Sequence, residues 1–326
     1  MDNMTATTSA TKQYVFSFRE GDGHDKKLLG GKGANLCEMT QIGLNVPPGF
    51  VISTEACLAY LETPERKLPE GLIEHVKQQI HDLEKSTGKG FGDPENPLLL
   101  SVRSGSALSM PGMMDTILNL GLNSDTLAGL IRQTANERFC YDAYRRFIQL
   151  FGKVALGIAD EKFDEPFDAL KQREGVKADL GLTAEHLQEI SEVFLNVVQD
   201  ETGRPFPTDV FEQLEISIKA VFNSWMGKRA IDYRNEFNIT SDMANGTAVN
   251  VMTMVFGNMG SDSATGVGFT RNPGTGENIM FGEYLTNAQG EDVVAGIRTP
   301  KPVHEMEPVS YTHLTLPTTK ALGGWG

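Results

Sequence analysis

The chain has 326 residues, 40% of them hydrophobic and 22% charged, with a formal net charge of −14. These values describe a folded polypeptide long enough for more than one lobe, and they exclude disorder. The acidic excess disfavours non-specific nucleic-acid binding, and no apolar run reaches the length needed to cross a membrane.

Residues 1–13 are polar and threonine-rich without arginine, so they read as neither a signal nor a transit peptide. Three scattered cysteines, Cys37, Cys57 and Cys140, lack metal-ligand spacing and read as reduced structural thiols, which makes the cytoplasm the expected compartment. Residues 28–36 (LLGGKGANL) precede apolar positions Leu36, Met39 and Ile42 at helical spacing, with Gly43 as a stop. Glycines at a helix start leave amide donors for a phosphate, and Lys32 adds a mobile cation. The pattern is not a Walker A loop, because Gly33 follows Lys32 and the earlier glycine is missing. No Gly-x-Gly-x-x-Gly follows a strand and opens a helix, so a Rossmann site has no support.

Residues 97–102 (PLLLSV) predict a buried strand ending at Arg103, after which Ser104, Gly105 and Ser106 predict a small-residue loop that an anion could approach. Arg103 could then make a bidentate phosphate contact. Residues 109–116 (SMPGMMDT) combine turn formers with flexible thioethers. For Arg103 alone, a strand, a tight turn and a methionine-filled core is the better reading; the two features together favour a ligand loop.

Residues 124–151, 183–200 and 208–237 predict helices, with 203–207 between the last two. Thr183 reads as an N-cap without a full capping box, since His186 stands where Glu or Gln would complete it. Arg138, Arg145 and Arg146 read as a solvated helix face, with steering of another domain as the alternative, and Arg229 and Arg234 read as ordinary salt-bridge partners. Residues 246–256 predict a strand, 257–266 a hairpin-length glycine-rich loop, and 267–270 a returning strand. A turn at 271–276 and a strand at 281–285 follow. Loops this rich in glycine, serine and threonine suit a flexible cover over polyphosphate.

Taken in order, GGKGANL, VPPGFVIST, SVRSGS, SMPGMMDT, NLGL, GTAVNV, MVFGN, GVGFTRNP, GEYL and NAQGEDVVAGIRTP resemble the nucleotide-binding domain of the pyruvate, phosphate dikinases over residues 14–303. The phosphoenolpyruvate synthases share the GGKGANL and FTRNP-like parts and are the alternative family. The SMPGMMDT and NAQGEDVVAGIRTP stretches favour the phosphate dikinases.

The resemblance implies an α+β class with an ATP-grasp fold: residues 1–122 as an N-terminal lobe, 123–207 as an inserted helical subdomain, and 208–306 as a returning helix followed by a glycine-rich β lobe. It implies ATP as substrate with Mg2+. The terminal phosphates would pass to a histidine on a swivelling domain, with orthophosphate taking one, and the phosphohistidine would meet pyruvate at a barrel domain to give phosphoenolpyruvate, pyrophosphate and AMP. Those two domains, ATP and phosphate are the implied partners, with neither nucleic acid nor membrane among them, and a homodimer is compatible with contacts in the barrel.

The resemblance also places Lys32, Arg103, Thr265 and Gly266 at the ATP phosphates, the last two within the glycine-rich lid, and Met252 and Met114 at an adenine pocket. Met252 stands where the family usually has Gln, and Ala264 where it has Gly. The family's Asp-x-Glu and Gln-Thr-Arg segments do not occur after Arg298, so the metal ligands are unassigned. None of His24, His75, His81, His186, His304 and His313 has the phosphohistidine context. Residues 307–326 (EPVSYTHLTLPTTKALGGWG) have no helical period and read as a non-native tail. Two functions stay open: a nucleotide-binding catalytic module that cannot complete turnover alone, or a binding protein that keeps the fold without nucleotide chemistry.

Overall fold

The computed structural model describes residues 12–294 and 298–306. The expectation of a non-native tail at 307–326 lies outside the described residues. The first sheet is antiparallel and five-stranded, in the order β1 (Val15–Ser17), β2 (Gly49–Ile52), β5 (Ala248–Thr253), β3 (Leu100–Gly105), β4 (Thr116–Leu120). β5 arrives from far along the chain to sit at its centre, pairing Val249 with Ile52 on one side and Asn250 with Arg103 on the other.

Alternation along these strands separates two faces. Phe50, Ile52, Leu100, Val102, Val249 and Val251 join the main core. On that side lie helices α2 (Thr54–Glu62), α3 (Leu72–Thr87) and, across β3, β4 and β5, α8 (Val210–Ser224). Val51 and Ala248 face the other way and pack with Leu29, Ala34 and Cys37 of α1 (Lys26–Gln41). The buried stripe of α1 is therefore Leu29, Gly33, Ala34 and Cys37 rather than the expected Leu36, Met39 and Ile42, and Ile42 is 64% exposed. Small residues occupy the stripe because the helix lies close to the sheet: a Cβ on Gly33 would come 2.9 Å from Val51 and from the Asn250 amide oxygen.

Helices α4 (Ser124–Thr134), α5 (Glu137–Val154), α6 (Glu161–Glu174), α7 (Ala184–Thr202) and α9 (Lys228–Glu236) complete the helical part. Their starts follow local side-chain chemistry. Asn123 and Thr126 form a reciprocal cap at α4, Asn136 caps α5, and Asp209 caps α8. Thr183 caps α7 in a complete box after all, because the His186 ring nitrogen accepts from the Thr183 amide as a carboxylate would. Gly175 and Gly203 end α6 and α7 in the left-handed region. α5 packs on α7 and on β4, so Phe147, Phe151, Phe163 and Phe194 extend the main core without a break.

The arginines of α5 do not form the solvated face expected of them. Arg145 is 4% exposed and pairs with Asp142 and Asp179, while Arg146 pairs with Asp142 and Asp292. Arg138 donates to the carbonyls of Leu182 and Asp179. Burial works to raise the Asp142 pKa, but the charges of Arg145 and Arg146 outweigh it and hold the carboxyl below its usual range. Periodicity placed these residues outward; only the fold of the Asp179 segment over α5 buries them. Arg229 does pair with Asp115, at 3.0 Å, whereas Arg234 stacks on the Trp225 ring, 3.9 Å from its centroid.

The second sheet is three-stranded, β6 (Ala264–Phe269), β7 (Phe281–Thr286) and β8 (Lys301–Pro302), with the short helix α10 (Gly290–Val294) against β6 and β7. The segment after β5 is thus no hairpin. It carries the chain from one sheet to the other, and Thr265 and Gly266, expected in a loop, are strand residues paired with Leu285 and Tyr284.

Candidate functional site

The face of the first sheet that α1 covers continues past the helix as an open floor. Ser101 and Arg103 on β3, Thr116 and Leu118 on β4, and Met252 on β5 lie along it, consistent with the pairing of Ser101 with Met252 and of Arg103 with Thr116. Thr265, Gly266 and Val267 of β6, with Gln289, Gly290 and Val293, stand opposite. The cavity between them measures about 560 Å³, in the range of small-molecule sites. Its connecting wall is Thr253, Met254, Val255 and Gly257, the segment that passes between the sheets.

The two glycine clusters of the sequence meet beside this cavity. α1 is broken at Gly30, which has φ +68°, and a Cβ there would lie 1.9 Å from the Gly105 carbonyl oxygen. Only glycine permits both the backbone angle and the approach. The Gly31 amide donates to the Ser106 carbonyl at 2.8 Å, and the Gly105 amide to the Thr247 hydroxyl at 3.2 Å. These glycines therefore clamp two chain segments together instead of leaving their amides for an anion. Ser104 and Gly105 lie inside β3 rather than in a loop, paired with Val249 and Ala248.

That clamp brings Lys32 to Arg103. The Lys32 ammonium donates to the Ser104 carbonyl at 3.0 Å, and among the described residues no carboxylate pairs with it. Loss of water around the ammonium and the nearby Arg103 charge lower its pKa to about 8. The residue as a whole is exposed, which limits the shift; the downward direction is what two adjacent cations require.

Of the other expected site residues, Met252 lines the cavity, half-buried. Met114 packs against the main core and is not among the lining residues. Thr265 lines the cavity, but its hydroxyl donates to the Ala288 carbonyl at 2.7 Å. Gly266 also lines it; a Cβ there would come 2.8 Å from the Glu283 carbonyl, so β7 already demands a glycine. Ser101, Thr116 and Leu118 were legible only as a period-two pattern on two strands whose pairing was unknown. Gln289 escaped notice within NAQGEDVVAG, because nothing local marks one amide among polar neighbours.

Among the described residues no group of three His, Cys, Asp or Glu could hold a metal ion, and no carboxylate lines the cavity. The three cysteines are free and buried, and burial pushes the Cys37 and Cys140 thiols up to about 11 and Cys57 to about 12, leaving them protonated at neutral pH. No helix among the described residues is long and apolar enough to cross a membrane.

Two antiparallel sheets around a cavity, with Arg103 on its floor and Lys32 near Arg103, make up an α+β domain. Comparison with known sequences narrows this. The family model described as pyruvate phosphate dikinase, AMP/ATP-binding domain, matches residues 26–70 and 63–308, and the chain belongs to that family. It is 60% identical over 294 residues to the pyruvate, phosphate dikinase of Entamoeba histolytica, covering 90% of this chain and 33% of that protein. It is 54% identical over 314 residues to the chloroplastic enzyme of Mesembryanthemum crystallinum, covering 94% and 33%. With the chloroplastic enzyme 1 of Arabidopsis thaliana it shares 51% over 313 residues, covering 94% and 32%. The chain thus spans about a third of the length of the curated relatives it matches.

Proposed function

We propose that the chain is the nucleotide-binding part of a pyruvate, phosphate dikinase, holding ATP between its two sheets in an ATP-grasp arrangement. The observation that carries this reading is the juxtaposition of Lys32 and Arg103 beside a cavity whose described lining is otherwise uncharged. In a chain of net charge −14 the overall field repels a nucleotide, so local cations must supply the attraction.

In this reading Lys32 and Arg103 neutralise the phosphates, and the methionine and valine wall takes the base. Phosphoryl transfer asks chiefly for positioning and charge compensation, which such residues provide. The acceptor is a histidine on another domain of the whole enzyme. ATP, pyruvate and phosphate would yield AMP, phosphoenolpyruvate and pyrophosphate there, and a homodimer of the whole enzyme fits the same proposal. Thr265 would act through its backbone, its hydroxyl being engaged by Ala288. Met114 would reach the base only if its loop rearranged. Mg2+, implied by the resemblance, finds no carboxylate along the described cavity, and no step is derived through it.

The proposed division places lobe 1–122, helical insert 123–207, and return with β lobe 208–306; the packing of α8 on β3, β4 and β5 supports the return. Buried, protonated thiols suit a reducing compartment, with the cytoplasm proposed.

Calorimetric titration with MgATP tests the site. Lys32→Ala and Arg103→Ala each remove a charge-assisted contact and should weaken binding by about 10- to 100-fold. Affinities equal to the unsubstituted chain would remove these residues from the site.

A further inference from the structure

Gln289 lies between β7 and α10 and is 5% exposed. Neither its Oε1 nor its Nε2 has a hydrogen-bond partner among the described residues. A side-chain amide offers one acceptor and two donors, and burying both ends unpaired is costly enough that native interiors rarely tolerate it. Gln289 is among the residues that line the 560 Å³ cavity, whose apolar wall is Leu118, Met252, Met254 and Val255. Apolar walls with a small number of well-placed polar groups are how pockets orient a ligand.

The backbone around Gln289 is held firmly. Its amide N–H donates to the Asp292 carboxylate at 2.9 Å, and its carbonyl accepts from the Asp292 N–H at 3.0 Å. The same carboxylate accepts from Arg146 at 3.2 Å. The side-chain amide is thus anchored from behind, with its own donor and acceptor unspent. Gln289 also borders a smaller cavity of about 290 Å³ beside Arg145, Arg146 and Lys153. The cations there are already paired, with Asp142, Asp179, Asp292 and Asp160, and that space lacks the apolar wall a ring requires.

We propose that Gln289 reads the base of the bound nucleotide, accepting from the exocyclic amino group of a 6-aminopurine and donating to the adjacent ring nitrogen. This donor–acceptor pair is the one by which a glutamine amide matches adenine. The assignment rests on the nucleotide reading above. It makes the base, and not only the phosphates, a source of selectivity. A desolvated amide discriminates strongly against a ligand that leaves it unpaired.

The test compares ATP with purine riboside 5′-triphosphate, which lacks the amino group, by calorimetry on the full chain. The unsubstituted chain should prefer ATP by about tenfold. Gln289→Leu should bind the two alike, and Gln289→Met, of matching length, carries the same expectation should leucine pack poorly. Arg103→Ala should weaken both triphosphates while keeping the preference. If both Gln289 variants retain the preference while Arg103→Ala still weakens binding, the base assignment is overturned and the nucleotide site stands. If the unsubstituted chain binds neither triphosphate, the nucleotide reading falls, and this inference with it.

Discussion

The first sheet and the second are both antiparallel, yet they are stabilised in different ways. β2 is buried along its whole length and β5 nearly so, sandwiched between α1 and the helices that carry the main core. In β6 and β7, by contrast, Val267, Phe269 and Phe281 are 45%, 41% and 43% exposed. Polar links among the described residues that tie this region to the rest include the Ala288 amide to the Gly257 carbonyl, the Asn136 amide to the Met259 carbonyl, and Arg146 to Asp292. Within β6 and β7 only Tyr284 and Leu285 are buried, which is the profile of a segment that opens below the cost of global unfolding. The comparison teaches where packing is concentrated: the floor that holds Arg103 is covered on both faces, whereas the strands beside Gln289 are mostly exposed or half-buried.

The largest expected effect breaks the floor. Phe50→Ala empties a fully buried site in the middle of the first sheet and should cost about 3–5 kcal/mol, read by urea denaturation. A loss below about 1 kcal/mol would mean that the sheet is not the stable half. A smaller effect should isolate the second sheet. Asp292→Ala removes one partner of Arg146 and the acceptor of the Gln289 backbone amide, at a local cost of about 1.5–3 kcal/mol. Hydrogen exchange should quicken across β6 and β7 and stay unchanged in β2 and β5; equal quickening in both would erase the distinction.

The smallest effect is a pH slope at the clamp between α1 and β3. Lys32 titrates near 10.5 when unfolded and near about 8 when folded. Between those values the unfolded chain binds more protons, so stability should rise as pH climbs from about 8 towards 10.5. Lys32→Met should flatten that rise in parallel urea titrations, a modest change because the residue is exposed. Nucleotide affinity should move oppositely and fall above about 8, as the cation is lost.

Much of the local structure was legible in the chain. The Thr183 start of α7, the apolar run into β3 and the β-branched run of β5 follow expectation, because capping and backbone preference act within a few residues. The single helices expected over 124–151 and 208–237 are each two, α4 with α5 and α8 with α9. Lys32 and Arg103 stood out as cations set among glycines and serines. Other features misled. Arg145 and Arg146 followed a surface-like spacing, yet Asp142 and the distant Asp179 and Asp292 compensate their burial. Thr265 and Gly266 looked like loop residues, because small residues in a strand and in a turn are indistinguishable without the partner strand.

By itself, the sequence determined the α+β class, the family, and two cations, Lys32 and Arg103, set among glycines and serines. These depend on side-chain chemistry that each residue carries with it, or on an order of motifs along the chain. Only the tertiary structure decided that Gly30 and Gly105 touch backbone to backbone, that β5 and β6 belong to different sheets, and that Gln289 is buried with its amide unpaired over a cavity. Each of those depends on which distant segments come within contact range. Hydrogen bonding and burial are properties of pairs, and no single position records its partner.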